Sequence, residues 1–219
     1  MIKQKIQTEW KKLCAMSWKD RRWYIWEYYK FHILGLILAA AVLFGAGQAF
    51  YRSTFDTVLH CYYLNIQNPE LDLASIEEGF TDYAGLTEKQ LITSEIGSAA
   101  FDHTAAELDY AVLAKITALV MSHDLDIIVG DAASTDHYAS LNGLADLEAI
   151  LPPELSAQLQ DQFYYAKDMD GNKHAFALDI SGTNFAKATG LDQDKALLGI
   201  IAGSQREDMA LTFVRYIFQ

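Results

Sequence analysis

The sequence predicts an α/β protein in which a single N-terminal transmembrane helix precedes one extracellular α/β lobe with a mostly parallel sheet. Three observations carry this expectation. An uncharged run of 21 residues, FHILGLILAAAVLFGAGQAFY, lies between Lys30 and Arg52. Beyond it, β-rich runs alternate with segments of helical period in the order β-α-β-α-β. No Pro- or Gly-rich linker divides residues 53–219, which are enough for one domain with its own core.

The uncharged run, residues 31–51, is long enough as a helix to cross the roughly 30 Å hydrocarbon core of a bilayer. Its flanks are aromatic: Trp23, Tyr24, Trp26, Tyr28, Tyr29 and Phe31 precede it, and Phe50, Tyr51 and Phe55 close it. A cleaved signal peptide would have a short basic start and about 7–15 apolar residues. Here a 30-residue segment with all four tryptophans comes first, so an uncleaved signal anchor fits better. Cys61 stands well beyond the apolar run, which argues against a lipoprotein.

Residues 1–30 contain eight basic side chains (Lys3, Lys5, Lys11, Lys12, Lys19, Arg21, Arg22, Lys30) and three acidic ones, whereas Arg52 stands alone just after the span. The positive-inside rule places this end in the cytoplasm and the C-terminal domain outside. Cys14 and Cys61 then lie on opposite sides and cannot pair within one chain. Ile2, Ile6, Trp10, Leu13 and Met16 or Ser17 recur at spacings of three and four, the pattern of a basic amphipathic helix on an anionic leaflet. The expected partners are the lipid bilayer and a membrane protein reached through Trp10, Trp18 and the span.

In the outer domain, TVLHCYYLN (57–65) reads as a first strand. Leu73 to Tyr83 follows as a helix with Asp72 as N-cap and Gly85 beyond its end. QLITSE (90–95) is a second strand, and Thr104 to Ser122 a helix with an apolar stripe through Leu108, Val112, Ile116 and Leu119, capped by Asp102 or Thr104. LDIIV (125–129) is a buried strand ending in Gly130-Asp131. Short helices are expected near 134–140, 144–151 and 154–162, then a hairpin of strands 163–167 and 173–180 around Asp168–Asn172. ALLGIIA (196–202) is a last strand, followed by a helix from about Arg206 to Phe218.

The run HDLDIIVGDAASTDHYASLNGLADLEAILPPEL (123–155) and the ending ALLGIIAGSQREDMALTFVRYIF (196–218) resemble parts of the first lobe of extracellular solute-binding proteins of bacterial ABC transporters. The segment YYKFHILG (28–35) resembles anchors of small membrane proteins in Gram-positive bacteria. The resemblance implies a periplasmic-binding-protein-like lobe. It departs from the family in length: the stretch between Pro153 and Lys195 is too short for a second lobe, which puts a closing two-lobe cleft in doubt.

A ligand on such a lobe would meet the carboxyl ends of its parallel strands. The candidate residues are Asn65 and Gln67 after the first strand, Ser94 and Glu95 after the second, Asp131 and Ser134 after the third, and Ser181, Thr183 and Asn184 after ALDIS. Solvated turns and helix caps are the competing reading of the same positions. No catalytic residues, metal ligands or cofactors are assigned. Asp168-x-Asp170-x-Asn172 begins like a calcium loop, but Gly171 stands fourth, where the loop needs glycine sixth, and Lys173 occupies that sixth place. HExxH, GxSxG, P-loop and dinucleotide fingerprints are absent.

Composition narrows the function further. The 51% hydrophobic content excludes a disordered chain, and the net charge of -12 hides an outer domain with 8 basic and 26 acidic residues. That negative field excludes nucleic acid as its partner. A non-enzymatic ligand-binding or accessory subunit of a membrane complex, a protein-interaction scaffold and an enzyme remain, in that order.

Overall fold

A computed structural model describes residues 17–66, 68, 71–101, 107–191 and 195–219. The chain divides into two compact units, residues 1–54 and Phe55–Gln219.

The first unit is built on one helix, α1 (Trp18–Arg52). Ser17 opens it by accepting the backbone N–H of Asp20. The helix starts well before the expected span and runs through residue 30 without a break. Its 35 residues reach about 52 Å, more than a hydrocarbon core. Tyr29–Arg52 has mean hydropathy 2.1 and is the one helix among the described residues long and apolar enough to cross a membrane. Phe31, Leu36, Leu43 and Phe50 all stand exposed along it. The amphipathic stretch expected before Ser17 lies outside the described residues.

The second unit is an α/β fold around a six-stranded sheet ordered β2-β1-β3-β6-β5-β4. In chain order the elements are β1 (Asp56–Leu64), α2 (Leu73–Ala84), β2 (Gln90–Gly97), α3 (Glu107–Met121), β3 (Ile127–Gly130) and α4 (Ala132–Ser140). Then follow α5 (Leu147–Ile150), α6 (Pro153–Gln158), a 3-10 turn (Gln160–Gln162), β4 (Phe163–Lys167), β5 (Lys173–Asp179), α7 (Asn184–Thr189), β6 (Leu197–Ile200) and α8 (Glu207–Ile217).

The local signals act as expected where they are described. Asp72 caps α2 by accepting the Ser75 N–H, and Gly85 ends it in the left-handed region at φ 64°. The expected caps Asp102 and Thr104 of α3 lie outside the described residues. Residues 144–146 stay out of α5 because Leu144 instead bridges Ile201, and Asp146 caps the helix.

The sheet is mixed, which corrects the expectation of a mostly parallel one. β1 pairs in parallel with β2 and β3, but β6 lies antiparallel to β3 and to β5, and β4 antiparallel to β5. The reversal comes from the connection into β6. After β5 the chain forms α7, a six-residue helix that the sequence pattern did not announce. β6 then re-enters from the edge where β5 left and pairs antiparallel with it. The β4–β5 hairpin therefore extends the same sheet and builds no second lobe.

Alternation along β1 divides the core. Leu59, Cys61 and Tyr63 face α2, α7 and α8, meeting Phe80, Phe185, Phe213 and Ile217. Tyr62 and Leu64 face α3 and α4, meeting Ile116, Tyr138 and Ala139. At the amino end of β3, the fully buried Asp126 accepts hydrogen bonds from the His60 N–H (2.8 Å), the Ser204 hydroxyl (2.6 Å) and the Arg206 guanidinium (2.9 Å). Arg206 also donates to the carbonyls of Thr57 (3.1 Å) and Asp124 (2.8 Å), tying three chain segments together.

Candidate functional site

β1, β2 and β3 all end at one edge of the sheet. The chain leaves β1 toward the α2 face, whereas it leaves β2 and β3 toward the α3 and α4 face. Adjacent strands with oppositely directed exits leave a crevice between them. Here it is an open cleft of about 490 Å³ lined by Asn65, Ala99, Ala100, Phe101, Asp131, Ala133, Asp136 and His137.

Asn65 joins the two sides. Its backbone sits at φ 60°, a left-handed conformation that asparagine tolerates better than most residues. Its side-chain oxygen accepts the Ala99 N–H at 2.8 Å, and its amide donates to Asp131 Oδ2 at 3.2 Å. Asp131 is the N-cap of α4, accepting the Ser134 N–H at 2.8 Å through its other oxygen. The Ser134 and Thr135 hydroxyls both donate to the Asp131 carbonyl at 2.9 Å, and Ser134 is completely buried. Gly130 permits this close first turn, because a Cβ there would collide with the Ser134 hydroxyl.

The mouth is aromatic and acidic. The Phe101 ring lies 4.7 Å from the His137 ring, tilted by 40°. Burial holds the His137 imidazole below its ordinary pKa, which favours the neutral ring. Asp136 is exposed and accepts the Tyr164 hydroxyl at 3.1 Å through Oδ1. Burial, then the neighbouring Asp136 carboxylate, raises the Tyr164 phenol. Among the described residues, no group of three or more His, Cys, Asp or Glu side chains is placed to hold a metal ion.

The structure thus brings Asn65, Asp131 and Ser134 together and sets the other expected residues apart. Ser94 and Glu95 do not follow β2; they lie within it, opposite Cys61 and Tyr62, because the strand continues to Gly97. Glu95 pairs with Lys115 of α3 and lies 3.5 Å from His60 Nε2, while the Ser94 hydroxyl is buried. Ser181, Thr183 and Asn184 are at the same edge as Asp131, since Asp179 and Gly130 are both paired with Leu197. They do not line the cleft. Ser181 bonds Asp179, Thr183 caps α7 through the Ala186 N–H, and Asn184 is that helix's first residue. Gln67 lies outside the described residues.

Sequence reasoning missed Ala99, Ala100, Phe101, Ala133, Asp136 and His137. Extending β2 by two residues would have identified SAAF (98–101) as its exit. Asp136 and His137 sit beyond a strand end, within the first turns of α4.

No family model matches the chain, and no curated protein matches it. Among solved structures, it is similar to one provisionally assigned as an oligosaccharide periplasmic-binding protein from Synechococcus sp. MITs9220, at 16% identity and a TM-score of 0.37. The match covers 73% of this chain and 35% of that one, so this chain spans about a third of that protein's length.

Proposed function

We propose that this chain is a membrane-anchored, non-enzymatic module whose extracellular α/β domain binds a ligand at the crevice between β1 and β3, as an accessory subunit of a membrane complex. The observation that carries the reading is the cleft of about 490 Å³, within the range of small-molecule sites, at the topological switch point of the parallel half of the sheet. Anchoring through Tyr29–Arg52, with the N-terminus cytoplasmic, rests on that helix's apolar exposure and on the eight basic residues within positions 1–30. Thermal-shift screening of the full chain in detergent against sugars, peptides, amines and metal ions tests the binding reading; no stabilisation by any class defeats it. For topology, an impermeant thiol reagent on intact cells should leave Cys14 unlabelled, and labelling there reverses the orientation.

A second reading, a protein-interaction scaffold, is favoured by α3. Tyr110 is 63% exposed and Met121 77% exposed on a helix whose only charge between these residues is Lys115. Mild-detergent purification should then recover a stoichiometric partner, and a clean monomer would sink this reading.

A further inference from the structure

The charge and shape of the cleft select among ligand classes. Two of its eight lining residues are carboxylates, Asp131 and Asp136, and none is Lys or Arg. The Asp131 carboxylate is held in place by Asn65 and Ser134 and offsets the positive end of α4, so the helix terminus does not turn the cleft into an anion site. Asp136 uses Oδ1 for Tyr164, and Oδ2 has no protein partner among the described residues. Phe101 presents an aromatic ring beside a His137 imidazole that burial keeps from adding positive charge. Taken whole, residues 53–219 carry 26 acidic side chains against 8 basic ones, a net field that favours cations over anions, although Lys167 and Lys173 line with Asp136 the adjoining pocket.

We propose that the cleft binds an organic cation, an alkyl or quaternary ammonium group, with Asp136 as counter-charge and the Phe101 ring as its apolar wall. This rests on the ligand-binding reading above and names the class of ligand for that same site. A carboxylate and an aromatic ring lining the same cleft suit such a group in two ways, through ion pairing and through attraction of the cation to the ring's negative face. A neutral polyol gains neither interaction, and an anion is opposed by both carboxylates. Lys195, whose ammonium lies 5.3 Å from the Tyr164 ring centre, shows the same cation-to-ring contact nearby in this fold.

The test is isothermal titration calorimetry on the full chain in detergent micelles with choline, maltotriose and citrate, repeated on Asp136→Asn and Phe101→Leu. Asparagine retains an acceptor for Tyr164, and leucine retains bulk, so both variants should fold; thermal denaturation checks this. Choline should bind, with affinity at least about tenfold weaker in each variant. Raising salt from about 50 mM to about 500 mM should weaken wild-type choline binding, a readout that needs no variant. Choline affinity unchanged in both variants would mean counterion association with the acidic surface and would overturn the inference. Maltotriose binding that Phe101→Leu weakens, without choline binding, overturns the cation class and leaves the cleft as a binding site. Absence of binding by all three ligands overturns both.

Discussion

Replacing Arg206 with methionine should be among the most damaging single changes in the C-terminal domain. The guanidinium faces a completely buried Asp126 carboxylate at 2.9 Å and supplies the Thr57 and Asp124 carbonyls, while its own side chain is 22% exposed. Methionine preserves much of the aliphatic packing and removes every donor. Asp126 would keep the His60 N–H and the Ser204 hydroxyl, two neutral donors that cannot balance a buried charge. Breaking a buried pair from one side typically costs about 3–5 kcal/mol. The domain Phe55–Gln219 has 165 residues, a size at which each kcal/mol lowers the melting temperature by about 2–4 °C, so the expected drop is about 6–20 °C. All four tryptophans lie within residues 1–30, so their emission does not report on this domain; near-ultraviolet circular dichroism of its tyrosines during urea and thermal unfolding does. Asp126→Asn combined with Arg206→Met should recover part of the loss, because no charge is then left buried. Lys195→Met, at the more exposed pair with Asp179 (3.7 Å), should cost less than about 1 kcal/mol. An Arg206→Met variant that loses no more stability than Lys195→Met would refute the reasoning.

Thr183→Ala removes the cap of α7 and should cost about 0.5–2 kcal/mol in urea unfolding while leaving ligand affinity unchanged; an affinity loss without a stability loss would restore Thr183 as a contact residue. Asn65→Gly should be less destabilising than Asn65→Ala by about 1 kcal/mol, since both lose the bonds to Ala99 and Asp131 but only alanine is strained at φ 60°; equal unfolding midpoints would contradict this. The buried Cys61 thiol is pushed up first by desolvation, then by the Asp126 and Glu77 carboxylates. Its folded form therefore keeps the proton where the unfolded chain gives it up: the contribution is complete below the unfolded thiol value of about 8.5 and is lost as pH rises above it. Stability measured against pH should begin to fall there, and Cys61→Ala should delay the fall toward the tyrosine range near about 10; identical profiles would rule the thiol out.

Most helices and strands of the C-terminal domain were legible because their signals are local. Asp72 and Gly85 bracket α2 through bonds made within a turn, and the alternation of β1 and the hairpin around Gly171 needs only neighbouring residues. The site was legible in part. Gly130-Asp131 marks a strand passing into a capped helix, and Asn65 follows a β-rich run, so both were identifiable. Ser94 and Glu95 were misplaced because polar residues inside an edge strand look the same as those just past its end. Thr183 and Asn184 looked like free loop residues because a six-residue helix leaves almost no periodic pattern.

Composition and order alone establish an apolar run of 21 residues with a basic aromatic approach, an acidic C-terminal domain and the β-α-β-α-β start of an α/β fold. These follow from charge, hydropathy and contacts within about four residues along the chain, which any copy of the sequence carries before it folds. The direction of β6, the mixed sheet and the meeting of Phe101, Asp131 and His137 in one cleft arise only when distant segments come together. Strand alternation reports which side chains are buried and says nothing about which way a strand runs. That direction is set by the pairing of β6 with β3 and β5, segments far apart in the sequence, and the cleft depends on loops from β1, β2 and β3 converging at one edge.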